Sequence, residues 1–285
     1  MVRRWPAKTV TLALEPAFKD RRLLPQQADH AMSGSMLGPD LDVLTVLIVA
    51  AGALVAGFIT GLAGFGTALI ASGIWFHVLP PVLIPPLVTI AAVVAHVVSL
   101  ATTRPSFDWS AAKPFLIGGL CGIPLGVAAL TMSGPGSIRI AVGLFLVVFA
   151  ASQLIGVARF TVGLWGGRTA DTAVGVGGGI LGGFAGLSGP FPIVWLQLRG
   201  GPSASQRAIF QPFNLVVLAV SAIGMAIAGL VDTRVLTLAA LATPLTVLGS
   251  WLGARVYLKV SEQTFKRLVL ALLLLSGSTL VAEAF

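Results

Sequence analysis

Apolar runs long enough to cross a bilayer, about 20 residues each, recur at 82–103, 112–132, 137–157, 209–230, 235–254 and 266–284. Each predicts one ordinary transmembrane helix. Two further apolar regions differ. From Leu41 to Pro80 the only charge is Asp42, and as one straight helix this stretch would be about 58 Å long against a hydrocarbon core of about 30 Å. It has to break, and the glycine-dense segment Gly57 to Thr67 is the expected place. Thr172 to Leu198 is apolar but dense in glycine, with a break expected at Gly186 to Pro192.

The two peculiar regions match each other. Gly57, Gly61, Leu62 and Gly64 align with Gly182, Gly186, Leu187 and Gly189 at an offset of about 125. The correspondence continues downstream: Pro86 with Pro212, Val88 with Asn214, Asp108 with Asp232, Gly122 and Gly126 with Gly249 and Gly253, Arg139 with Lys266. Sustained order of this kind is the mark of an internal repeat. The pattern predicts an all-α integral membrane protein built from two tandem homologous repeats of four to five helical segments, 8–10 in total, each opening on a glycine-broken helix. The expected divisions are a polar basic tail at 1–40, repeat 1 at 41–158, a linker at 159–171 and repeat 2 at 172–285. Eight crossings with parallel repeats and ten with inverted repeats both satisfy the pattern.

Composition narrows the setting. Of 285 residues only 10% are charged and 56% are apolar, whereas a soluble domain carries roughly 25% charged residues. Bilayer is the natural solvent, and a cytoplasmic (inner) membrane the expected location. The net charge of +8 does not point to nucleic acid, because the basic residues are single or paired and separated by apolar segments, as membrane loop charge is. The tail holds Arg3, Arg4, Lys8, Lys19, Arg21 and Arg22, which favours a cytoplasmic N-terminus; Met32 or Met36 is an alternative start. Its one apolar patch ends at Glu15 and Pro16 and does not make a cleaved signal.

Chemistry follows from the breaks. Irregular backbone within a membrane is tolerated where it is buried in protein or lines a polar cavity, so two breaks imply a cavity. A helix starting at mid-membrane also aims free N–H groups and its positive dipole end there, which suits a small anion. Close helix packing is the competing use of glycine, and the better one for Gly177, Gly178, Gly179, Gly182 and Gly183. The candidate substrate-binding residues are Gly64, Gly66, Thr67, Ser188, Gly189, Gln197, Arg207, Gln211 and Asn214. Arg207 is expected at the mouth, where a guanidinium can fork onto an anion. His96, near the centre of its run, is a candidate for proton coupling. Trp75, Trp109, Trp165, Trp195 and Trp251 read as interface anchors. There is no metal-ligand spacing, phosphate loop or nucleophile motif, so neither a cofactor nor an enzyme activity is expected, and transport would run on a gradient.

The paired breaks, the helix Gly118 to Gly126 after Asp108-Trp109, the segment Ser205-Gln206-Arg207-Ala208 and the closing run Ser261 to Gly277 together resemble the TauE/SafE sulfite exporter family, also described as a four-transmembrane-span sulfonate uptake family. The resemblance extends from about Leu41 to the C-terminus. It implies a secondary transporter that moves sulfite, sulfoacetate or another organosulfonate by alternating access; a passive anion channel and a carrier of another small organic acid are the alternatives. Family members often follow the first break with a glycine triplet and a proline, where this chain has Gly64-Phe65-Gly66-Thr67. His96 stands in a helix that usually carries small and apolar residues.

Overall fold

In the computed structural model the described residues are 42–156, 162, 163, 165–257 and, near the C-terminus, 274, 277–280 and 282. The expected tail 1–40 and most of the last apolar run, 266–284, lie outside them. The described chain is helical: α1 Val43–Ala63, α2 Thr67–Trp75, a 3-10 turn Pro81–Leu83, α3 Ile84–Thr103, α4 Trp109–Met132, α5 Pro135–Ile155, α6 Gly167–Ala185, α7 Pro190–Arg199, α8 Ser203–Ile227 and α9 Thr233–Tyr257. The predicted runs at 82–103, 112–132, 137–157, 209–230 and 235–254 appear as α3, α4, α5, α8 and α9. Their ends obey ordinary capping chemistry. Asp108 accepts from Ala111 N at 2.9 Å and starts α4, and Asp232 accepts from Val235 N at 2.8 Å and starts α9, each satisfying a donor that a helix N-terminus leaves open.

Both expected breaks exist, and each reverses the chain. Gly64 to Gly66 ends α1 and starts α2; at this tip Thr67 N donates to Thr60 Oγ1 at 2.7 Å and the two threonine hydroxyls meet at 2.5 Å. At the other end of the pair Trp75 Nε1 donates to Val49 O at 3.3 Å, so α2 runs back along α1. The second pair repeats this. Phe191 at the start of α7 packs on Gly177, while Trp195 Nε1 donates to Asp171 Oδ1 at 2.8 Å near the base of α6. α1–α2 and α6–α7 are therefore helical hairpins, and the described residues hold nine α-helices, within the 8–10 segments expected.

The hairpins are held by glycine seams. Gly118, Gly122 and Gly126 of α4 face the backbone of Thr172, Val176 and Ile180 in α6, and Gly175, Gly179 and Gly183 face back onto Phe115, Gly119 and Ile123. On the far side Gly249 and Gly253 of α9 face Leu54 and Phe58 of α1, and Gly57 and Gly61 face Thr246 and Ser250. Residue numbers rise together in both seams, so α1 runs parallel to α9 and α6 parallel to α4. A Cβ at nearly every one of these positions would strike a backbone atom, which is the small-xxx-small contact of membrane helices.

Large apolar side chains such as Ile117, Leu125, Leu144, Val148 and Ile223 remain exposed on the outer faces. Water would not tolerate that much apolar surface, whereas acyl chains would. Loops group by end. Arg139 at the start of α5 donates to Phe76 O at 3.0 Å, which joins the α4–α5 turn to the loop after α2. Asp108 N donates to Ala208 O at 3.1 Å, which joins the α3–α4 loop to the start of α8 at the opposite end. Trp75 departs from its predicted role as an interface anchor: it is fully buried, clamping the base of the first hairpin.

Candidate functional site

The tips of the two hairpins meet at one cavity. It is lined by Phe65 to Leu69 of the first break, Gly186 to Pro190 of the second, Ala92 and His96 of α3, and Asn214 and Leu218 of α8. Its free volume is about 20 Å³, room for about one water molecule. Short helices α2 and α7 both begin at its wall. Their first-turn N–H groups have no carbonyl one turn earlier in their own helix, and their positive dipole ends converge on the same space.

The two breaks equip the cavity differently. At the first, Thr60 takes the Thr67 N–H and the hydroxyl pair fixes Thr67 against the wall, leaving Ala68 and Leu69 as the first-turn donors. At the second, Pro190 and Pro192 have no N–H to give, so that helix end brings fewer backbone donors. Side chains compensate. Ser188 Oγ donates to Asn214 Oδ1 at 3.1 Å, which commits the amide oxygen and leaves the Asn214 NH2 as the donor next to Gly189. Ser188 and Asn214 are each about 1% exposed. Sequence reasoning took Ser188 as a direct donor; its hydroxyl proton instead orients Asn214.

Of the sequence-derived candidates, Gly66, Thr67, Ser188, Gly189, Asn214 and His96 line the cavity. Gly64, Arg207 and Gln211 stand one layer behind it. Gly64 (φ 81°) turns the chain in a left-handed conformation, and the Arg207 and Gln211 side chains press onto the face where a Cβ would project. Arg207 is therefore buried, 7% exposed, and supports the first break from behind rather than standing at a mouth. Gln197 lies two turns along α7 and does not line the cavity. The apolar wall, Phe65, Leu187 and Leu218, was not singled out from sequence; Phe65 and Leu187 are the residues adjoining the turn glycines, which was the available signal.

A second polar cluster secures the base of the second hairpin. Asp171 pairs with Arg199 at 2.9 Å and accepts from Trp195, while Arg199 also donates to Gly167 O at 2.9 Å. Among the described residues no group of three or more His, Cys, Asp or Glu is placed to hold a metal ion.

Among the described residues, six helices long and apolar enough to cross a membrane (α1 included), two hairpins with buried tips and a lipid-compatible exterior define an all-α, multi-pass membrane protein. The chain belongs to the sulfite exporter TauE/SafE family, whose model matches residues 49–280. This is a family of membrane transporters, and the match takes in both hairpins and the nine α-helices of the described residues apart from the first turns of α1. Comparison with curated proteins and with solved structures gives no match.

Proposed function

We propose that this protein is a secondary transporter of a small sulfur oxyanion, sulfite or an organosulfonate, held in the cavity where the two breaks meet. The observation that carries this reading is the convergence of two helix N-termini with the Asn214 amide on a buried space lined by no carboxylate among the described residues. Fixed N–H dipoles bind an anion without the cost of burying a lysine. Thr67 and Asn214 are the side-chain contacts, Gly66 and Gly189 keep the wall open, Ser188 orients Asn214, and Arg207 and Gln211 brace the first turn. The volume, close to one water, supports a carrier that opens to admit its substrate over a continuously open pore.

Alternating access follows from an inverted duplication. Two facts support it: Leu54 and Phe58 hold the same places on Gly249 and Gly253 as Val176 and Ile180 hold on Gly122 and Gly126, and the two hairpins enter from opposite ends. On this pairing Gly64 corresponds to Gly186, both left-handed at φ 81° and 69°, and the register of the first helices is 122 rather than the 125 that glycine matching suggests. Orientation follows from charge. Arg104, Lys113, Arg168, Arg199 and Arg255 lie at the end bearing the α3–α4 loop, against Arg139 and Arg234 at the other. The tail's lysines and arginines fall beyond the 20 residues before α1 that the positive-inside rule weighs. We therefore place the α3–α4 end in the cytoplasm of an inner-membrane protein, and the entry to α1 outside. Purified protein in liposomes should show saturable uptake of labelled sulfite that unlabelled sulfite competes. Flux of no small anion would refute the proposal.

A further inference from the structure

His96 lies in the middle of α3, 3% exposed, and lines the cavity. Its Nδ1 is 2.8 Å from Ala92 O. A carbonyl oxygen only accepts, so Nδ1 carries a hydrogen whatever the charge on the ring. The other nitrogen, Nε2, is buried without a partner among the described residues. The other polar groups lining the cavity are donors, the first-turn N–H groups of α2 and the Asn214 NH2, or hydroxyls already tied to protein partners, Thr67 to Thr60 and Ser188 to Asn214. The bare oxygens of an oxyanion satisfy those donors and cannot satisfy a nitrogen lone pair; an acid O–H on the same anion can.

On the reading of this cavity as an anion site, we propose that His96 is a specificity residue whose Nε2 accepts a hydrogen bond from an acid hydroxyl of the substrate. The site then selects a singly protonated oxyanion, the O–H form of hydrogensulfite in chemical class, over an alkylsulfonate, whose three oxygens carry no hydrogen. A proton-free anion such as an alkylsulfonate leaves the Nε2 lone pair without a partner. Surroundings agree with a single titrating group. α1 and α2 contain no ionisable side chain, the charges of α6 and α9 sit near their ends, and Arg207 of α8 stands one layer behind the cavity. Sites built to bond a substrate hydroxyl discriminate strongly against analogues that lack it.

The test uses full-length protein with its histidines labelled at nitrogen, the His96 signals being those lost in His96→Gln. Sulfite should move the Nε2 resonance saturably, and methanesulfonate at the same concentration should leave it in place. In liposomes His96→Leu should lower sulfite flux relative to methanesulfonate flux by at least about tenfold, while His96→Gln, whose amide oxygen accepts, keeps most of the preference. An Nε2 resonance unmoved by sulfite, or moved equally by both anions, overturns the assignment. Flux with a silent Nε2 would sink the role of His96 and leave transport standing; a saturable Nε2 shift in protein without flux would do the reverse.

Discussion

At the scale of single residues, Asn214 makes the proposed side-chain contact to the anion. Its amide is turned by Ser188 so that the NH2 faces the cavity, and a hydrogen bond to a charged partner is worth about 1.5–3 kcal/mol. Asn214→Ala should therefore raise the half-saturation for sulfite by roughly 10- to 100-fold, measured as liposome uptake. Asn214→Asp, nearly the same shape but anionic, should abolish uptake, since it sets a like charge against the substrate. Ser188→Ala should act in the same direction more weakly, because it frees the amide to turn. Several of these residues were legible in the sequence as uncharged polar positions beside glycine. What was not legible was their division of labour, because Thr60, Ser188 and Arg207 act on other protein atoms and not on the cavity, and only the fold says which atoms those are.

Helices and seams were partly legible. Apolar run length placed α3, α4, α5, α8 and α9, and packing was the correct use for Gly179 and Gly183, which lie on the backbone of α4. The reversal of each break was not readable, because a run of glycines gives a place to turn without giving a direction. The offset of 122 proposed from the seams was not legible either, because in a glycine-rich helix several offsets match equally well. Alanine at Gly122 or Gly249 would meet the carbonyl of Val176 or Leu54, and overpacking of this kind costs about 1–3 kcal/mol. Both substitutions should lower the melting temperature in detergent, whereas Gly134→Ala, where nothing lies within 4 Å, should leave it unchanged.

For the molecule as a whole, the sequence carried membrane residence and the family, because both are properties of composition and of motifs spread along the chain. The proposed sidedness differs from the one the basic tail suggests, because the tail's charges lie more than about 20 residues from α1 and loops could be assigned to ends only once the hairpins were seen. In a Cys121→Ser background, Ser106→Cys should react with an impermeant thiol reagent only from the cytoplasmic side and Thr233→Cys only from outside, and the opposite labelling would invert the orientation. The central claim is that one anion sits between the two breaks. Selenite, an oxyanion of sulfite's shape with a strong anomalous signal, tests it most directly when soaked into crystals of protein that carries sulfite in liposomes. The expected result is one anomalous peak within hydrogen-bond reach of Thr67 and Asn214, lost in Asn214→Asp. A peak elsewhere in the membrane region that survives Asn214→Asp, with the space between the breaks unoccupied, would contradict it.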